Sequence, residues 1–459
     1  MICNLAQLKK IFNIQPNNND SSISIEAIST DTRILKNNEV FIAIKGENFD
    51  GHNFVGKAIE VGAIAIIVSE NFDTTKYDFR NFINVEDTIK AYGEIARYYR
   101  QNNNYTVVAV TGSCGKTTTK DMVASVLSKK YKVEKTFQNN NNEIGLPYTI
   151  LNADTETEVL VLEMGMRASG EIEYLTKIGL PNIGIITNIG IAHIGELGSQ
   201  ENILHAKGEL LENLPEDALA IINGEDGFTD DLKNKFSGKI RVFGFNENAN
   251  IKALNIMIDG KATLVDIIRD EEQFKASLNV KGEHLILDCL IAIETGLALG
   301  IDIKDAVEAI NNMETSPGRL EIIEYDNYTI INDTYNANPD SMKKSIDVLL
   351  GYKGSKIAVL GDMRELGANE ISYHEDIGAY LSNKGLKILI TVGRLGKYIG
   401  IGLKKSNTNN TAVYSFENNI EAGKKLEELI SSNDIILIKG SRAMAMEEIM
   451  KMIEEDMVV

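Results

Sequence analysis

Short apolar runs bounded by polar turns punctuate the chain, and most alternate with stretches of helical spacing. Leu5, Leu8 and Ile11 fall on one helical face and predict a short helix. Two β-type runs follow, VFIAI at 40–44 and AIAIIV at 63–68, and the polar NNND at 17–20 reads as a turn or loop. A helix is predicted over 86–100, with Ile89, Tyr92, Ala96 and Tyr99 on one face, and QNNN at 101–104 ends it. A first boundary just before that helix makes 1–84 a small α/β unit.

The unbroken run YTVVAV at 105–110 reads as a strand buried on both faces, as in parallel sheets. Further apolar runs at 159–162, 183–186 and 218–222 alternate with helical stretches, the signature of a parallel sheet covered by helices. At 315–318, TSPG, the composition turns loop-like, which bounds a central unit at 85–314. The pattern then restarts, with strands predicted at 329–331, 357–360, 388–392 and 435–438. The segment 315–459 therefore reads as a second doubly wound, Rossmann-like unit. The expected fold class is α/β in three domains, with no internal repeat.

Size and charge narrow the function classes. At about 150 residues per domain, 459 residues also suggest three domains. With 47 basic against 66 acidic residues, the net charge is −19. That disfavours nucleic acid and anionic membrane as partners, yet allows a local basic pocket. Cys3, Cys114 and Cys289 are scattered and fit neither a disulfide framework nor a zinc site, so a reducing compartment is expected. No apolar stretch approaches the roughly 18 residues of a membrane span, and MICNLAQLKK lacks the plan of a signal peptide. The expectation is a cytoplasmic protein with no integral membrane segment.

The sharpest chemical signal is VAVTGSCGKTTT at 108–119. A strand, a glycine loop and a helix start make a phosphate-binding loop: Gly112 and Gly115 let backbone N–H groups approach anionic oxygens, at the positive end of a helix. Lys116 would neutralise β- and γ-phosphates, and Thr117 is placed to meet Mg²⁺. The common pattern is incomplete, because Val110 holds its first glycine position. In VLVLEMG at 159–165, Glu163 ends a buried strand, where P-loop proteins usually hold their metal with Asp. His193 lies in IITNIGIAHIGELG at 185–198, again just beyond a strand; a structural role and a metal or phosphate contact both remain open. Lys207 falls on a predicted helix and, read locally, belongs to its surface. His52, His205 and His374 have no chemical constellation around them.

Together, the loop TGSCGKTT, the strand-end Glu163 and the His193–Lys207 spacing resemble the ATP-dependent Mur ligases of peptidoglycan synthesis, which are related to folylpolyglutamate synthases. DTYNANPDSM at 333–342 is similar to the branch that joins D-alanyl-D-alanine to UDP-N-acetylmuramoyl-tripeptide. STDTR at 29–33, FIAIKG at 41–46 and DGH at 50–52 resemble that branch's UDP-binding first domain. NNNNEIGLP at 139–147 resembles its Asn-rich loop, and GDMRELG at 361–367 and KGSRAM at 439–444 its third domain.

The resemblance implies an amide ligase that uses ATP and Mg²⁺, with UDP-N-acetylmuramoyl-tripeptide and D-alanyl-D-alanine as its other substrates; a monomer is expected. It implies that Gly112, Ser113, Cys114, Gly115, Lys116, Thr117 and Thr118 hold ATP phosphates. Arg319 and Asp333 would contact the ribose. Thr117, Glu163, His193 and Lys207, the last as a carbamate, would serve the metal. Asn336 and Asn338 would face the acyl-phosphate and the dipeptide. Thr32, Arg33, Lys45, Asn141 and Asn142 would bind the nucleotide-linked substrate.

Two positions depart from the family pattern. The usual His-Asn-x-x-Asn appears as HLILD at 284–288, so Leu285 cannot contact adenine by hydrogen bond, whereas Asp288 could accept from its amino group. Gln138 stands where a glycine is usual. A folate-directed glutamate ligase would not account for 333–342. A P-loop switch or transport ATPase would not account for the first-domain resemblance, and a non-catalytic relative would not need Lys116, Glu163, His193 and Lys207 together.

Overall fold

The computed structural model describes residues 2–46, 49–259, 262–314, 316–406 and 411–455. The boundary drawn at Thr315 falls on a residue outside these.

The first sheet has four parallel strands in chain order, Ile28–Ser29, Val40–Ile42, Ala65–Ser69 and Phe82–Val85. Helix Leu5–Ile11 forms where its spacing indicates, and Asn4 and Gln7 close a capping box at its start. The helix expected over 86–100 runs Thr88–Gln101, because the Asp87 carboxylate accepts from the N–H groups of Ile89 (2.8 Å) and Lys90 (3.1 Å) and fixes the start there. Its buried face, Tyr92, Ile95, Ala96 and Tyr99, lies in one continuous apolar cluster with Leu5 and Val40 of the first unit and Val107 and Leu160 of the next.

The central sheet has nine strands. Val133–Lys135, Val159–Glu163, Thr106–Thr111, Ile183–Ile186, Leu219–Asn223, Lys239–Gly244 and Ile251–Asp259 lie side by side in parallel. Ala262–Arg269 and Glu272–Leu278 then fold back antiparallel at the edge, a meander absent from the sequence reading. Along Thr106–Thr111, Val107 and Ala109 enter the core on one face and Val108 and Val110 a separate core on the other. The continuous apolar run follows from burial on both sides.

The third sheet has six strands in the order Glu321–Glu324, Tyr328–Asp333, Asp434–Lys439, Ser355–Gly361, Ile388–Val392, Ala412–Phe416. Only the first of these is antiparallel to its neighbour. Ile330 and Ile331 again point into different cores, so helices cover both faces. In both large sheets the chemistry-bearing residues gather at the carboxyl ends of parallel strands, where α/β folds bind ligands.

Candidate active site

The loop after Thr106–Thr111 is set by close packing. Gly112 has φ 151°, and a Cβ there would lie 1.9 Å from the Thr187 hydroxyl. Gly115 has φ 84°, and a Cβ there would come within 3.0 Å of Asp288 Oδ1. A side chain at Gly112 is excluded by space, and at Gly115 by conformation. Thr187 and Asn188, just beyond strand Ile183–Ile186, splint the loop from the side. Thr187 Oγ1 donates to Cys114 O at 2.5 Å, and Asn188 Oδ1 accepts from Cys114 N at 3.0 Å. Neither residue was singled out from sequence, although both sit where a strand-end search would look.

Lys116 begins helix Lys116–Leu127 and folds back so that its Nζ donates to Gly112 O at 2.7 Å. Loss of solvent pulls its ammonium below the ordinary lysine range, and the Glu163 charge opposes that shift. Thr117 Oγ1 donates to Glu163 Oε2 at 2.8 Å, and Asn141 Nδ2 to Glu163 Oε1 at 2.9 Å. The Asn-rich loop is thus tied to the strand-end carboxylate. Gln138, ahead of that loop, takes φ 50°, the left-handed conformation that glycine adopts freely and other residues adopt at a cost.

The opposite wall comes from the third sheet. Asp333 ends strand Tyr328–Asp333, and its carboxylate takes an ion pair from buried Lys439, a hydrogen bond from Ser345 Oγ (2.5 Å) and one from Leu320 N (3.1 Å). The Arg319 guanidinium stacks 3.9 Å over the Tyr335 ring. Asn338 caps helix Pro339–Gly351: its Oδ1 accepts from Ser341 N at 2.8 Å and from the Cys114 thiol at 3.3 Å. Asp340 accepts from Ile191 N at 2.9 Å. These two contacts bring the helix start against the phosphate-binding loop and the 189–191 turn.

Between these walls lies a cavity of about 540 Å³. Of the residues proposed from sequence, Ser113 to Thr118, Asn141, Asn142, Glu163, His193, Asp288, Arg319, Asp333, Asn336 and Asn338 line it. Gly112 supports the loop without lining it, and Thr32, Arg33 and Lys45 lie elsewhere in the first unit. Arg33 there pairs with Asp31, holding that carboxyl below the usual carboxylate range. The wall also carries Lys344, Lys439, Arg442, Arg167 and Glu365, to which the sequence reading gave no role. The signals for them were the strand-end position of Lys439 and the segments GDMRELG and KGSRAM, which hold Glu365 and Arg442.

Lys207 corrects the local reading. It sits on helix Gln200–Glu212 but is 1% exposed, not on its surface, and it does not line the cavity. Burial, and then the Lys116 charge, push its ammonium well below the lysine range. His52 and His374 are structural: His52 Nε2 accepts from Ser69 N (3.0 Å) and His374 Nε2 from Met363 N (2.9 Å).

At the base-binding end suggested by the HLILD segment, burial lowers the His284 ring to about 3 and raises the Asp288 carboxyl to about 7, the latter against the opposing charge of Lys344. Asp288 Oδ1 accepts from Thr119 Oγ1 at 2.9 Å.

Thr117 and Glu163 meet, but His193 turns toward a different partner. It takes φ 63° at the head of Ile194–Leu197, and its Nδ1 lies 2.8 Å from Glu365 Oε2 and 3.8 Å from Glu196 Oε2. The Glu365 oxygen is within hydrogen-bond distance of Nδ1 but is not aligned with the ring N–H. His193 holds the Glu365 carboxyl below its ordinary range. Each of His193, Glu196 and Glu365 offers a ligand atom within 4.8 Å of the others.

Comparison with known proteins covers the whole arrangement. Residues 24–100 match the family described as "Mur ligase family, catalytic domain", residues 110–296 "Mur ligase middle domain" and residues 318–442 "Mur ligase, glutamate ligase domain". UDP-N-acetylmuramoyl-tripeptide–D-alanyl-D-alanine ligase of Bacillus subtilis is 38% identical over 93% of each chain. A crystal structure of MurF from Acinetobacter baumannii superposes with a TM-score of 0.89 at 32% identity, covering 99% of both chains. MurF ligase from Thermotoga maritima in complex with ADP gives 0.84 at 29% identity, over 94% of this chain and 97% of that one.

Proposed function

The chain belongs to the Mur ligase family, and from that premise we infer that it is an ATP-dependent ligase adding D-alanyl-D-alanine to UDP-N-acetylmuramoyl-tripeptide in peptidoglycan precursor synthesis. The observation that carries this is the 38% identity to such a ligase along 93% of both chains. The phosphate loop facing the 333–342 segment across one cavity agrees with it.

A carboxylate is a poor electrophile because it has no good leaving group. Its oxygen therefore attacks the γ-phosphorus of ATP, and ADP departs. The dipeptide amine then attacks the acyl carbon and loses a proton, and phosphate leaves with the carboxylate oxygen. Lys116 and the N–H groups at the start of Lys116–Leu127 stabilise the negative oxygens gathered in the first step. Ser113, Cys114, Gly115 and Thr118 complete the phosphate cradle, and Gly112 permits its close fold. Arg319 and Asp333 serve the ribose, and Asp288 the adenine. Asn336 and Asn338 face the acyl-phosphate and the dipeptide. Thr32, Arg33, Lys45, Asn141 and Asn142 hold the nucleotide-linked peptide.

The donors fit Mg²⁺. The Thr117 hydroxyl and Glu163 carboxylate are hard oxygens already in contact, and His193 stands across the same cavity. Bound there, Mg²⁺ supplies positive charge to phosphoryl transfer. Lys207 fits only after modification, since a buried ammonium would oppose a cation. Its lowered pKa favours the neutral amine, which adds to carbon dioxide with loss of a proton to give a carbamate with two oxygens.

The reading extends to three units, 1–84, 85–314 and 315–459, which follow the three larger sheets except that Val85, the last residue of the first sheet, falls in the second unit, and to a monomer in the cytoplasm. Three free cysteines support the cytoplasmic location. No helix among the described residues is long and apolar enough to cross a membrane. The test is to incubate the protein with ATP, Mg²⁺, D-alanyl-D-alanine and the diaminopimelate or lysine tripeptide nucleotide, and to weigh the product. ADP should form only with both substrates; rapid ATP turnover with neither would overturn the ligase reading.

A further inference from the structure

The contact between His193 and Glu365 joins loops from two different sheets. His193 follows strand Ile183–Ile186, and Glu365 follows Ser355–Gly361. Backbone packing fixes the approach. Gly195 N donates to Glu365 O at 3.1 Å, a Cβ on Gly195 would lie 2.6 Å from Gly367 N, and one on Gly367 would lie 2.9 Å from Gly195 Cα. Two glycines therefore let the loops touch main chain to main chain, and that contact delivers the Glu365 carboxylate to within 2.8 Å of Nδ1. Among the described residues the only other carboxylate within 4 Å of this nitrogen, on Glu196, stands off at 3.8 Å and belongs to the same loop as the histidine.

A metal-binding imidazole is usually oriented by a carboxylate on its second nitrogen, which fixes the tautomer and the ring plane. We propose that Glu365 is the positioning residue for His193, holding the proton on Nδ1 and leaving the Nε2 lone pair for a divalent cation. This rests on the reading of His193 as a metal ligand. At 2.8 Å the two atoms are already at hydrogen-bond distance, and rotation about the soft terminal torsions would align them. Because Glu365 arrives from the third sheet, the ligand is set only while the two loops are in contact. Docking of the third unit on the central one thus completes the cation site as well as the cavity.

The test is Mn²⁺ binding to the full chain with a non-hydrolysable ATP analogue, followed by electron paramagnetic resonance, together with ¹⁵N spectra of His193. His193→Ala should weaken one Mn²⁺ site. Glu365→Ala should weaken the same site by about 10–100-fold and mix the His193 tautomers. Glu365→Gln keeps an oxygen that accepts from Nδ1–H, and should restore most of the affinity and the single tautomer. The Mg²⁺ concentration for half-maximal activity should rise in Glu365→Ala more than kcat falls. Mn²⁺ binding unchanged in His193→Ala would remove the ligand reading and the proposal with it. A loss in His193→Ala with none in Glu365→Ala, or equal losses in Glu365→Ala and Glu365→Gln, would overturn the positioning role alone.

Discussion

Asp288 should make the stability of the ligand-free protein depend on pH in a way that one substitution removes. Its side chain is 6% exposed, packed against Gly115 and bonded by Thr119, and burial raises its pKa from 3.8 to about 7. Between those values the folded chain holds a proton that the unfolded chain has released. The raised pKa therefore contributes stability that is complete below 3.8 and is lost as the pH climbs to about 7. The slope is about 1.36 kcal/mol per pH unit between the two values and fades around pH 7, so roughly 2.7 kcal/mol disappears between about pH 5 and pH 8. Asp288→Asn keeps an oxygen for the Thr119 hydroxyl and never ionises. In urea denaturation at a series of pH values, wild type should fall relative to Asp288→Asn by about that amount, and the difference should level off above about pH 8. Titration of groups remote from Asp288 cancels in the comparison. Parallel profiles for the two proteins from pH 5 to 8 would refute the reasoning, whatever their absolute stabilities.

Three further outcomes follow from the site. Lys116→Ala should fold normally, as circular dichroism would report, yet lose about 2.7–4 kcal/mol of transition-state stabilisation in kcat/KM, by analogy with losing one fixed oxyanion donor; activity within a few-fold of wild type would remove the loop from catalysis. If Asp288 accepts from the adenine amino group, ATP should be preferred to GTP, whose carbonyl presents like polarity, and competition binding should find that preference weakened in Asp288→Ala. Lys207→Ala should lose most activity while still binding ATP in a filter assay, with partial rescue by a short carboxylic acid; a fully active variant would exclude a carbamate role.

The parallel strands were legible because burial on both faces leaves apolar runs with few interruptions, as at Val107 to Val110. The edge meander was not. Along Ala262–Arg269 intermediate and buried positions alternate, Asp266 and Arg269 interrupt the run, and Met257 on the neighbouring strand is 58% exposed, so no continuous apolar signal exists. Glu163 could be singled out because strand and glycine loop lie close to it in sequence. Lys207 misled because a helix segment does not disclose what packs on it: the residues around it that look polar in sequence do not keep it in water. Glu365 lies in the family-like segment GDMRELG, but nothing local discloses its role, since its partner lies 172 positions earlier and meets it only through the contact of two sheets.

The apolar cluster threaded by helix Thr88–Gln101 has a consequence for how the chain is made. That cluster takes residues from Ile2 to Ala249, whereas the two cores of the third sheet draw only on residues from Leu320 onward. During synthesis the first hundred or so residues cannot close their core, because Tyr92, Ile95 and Ala96 wait for strands and helices not yet translated. At about 5–20 residues per second, a further hundred residues leave that face open for roughly 5–20 s. The third unit faces no such delay, for it brings its own partners. Nascent chains halted near residue 150 should therefore be the aggregation-prone and chaperone-dependent species, and those halted past the central sheet should already resist protease up to the loop that begins the third unit.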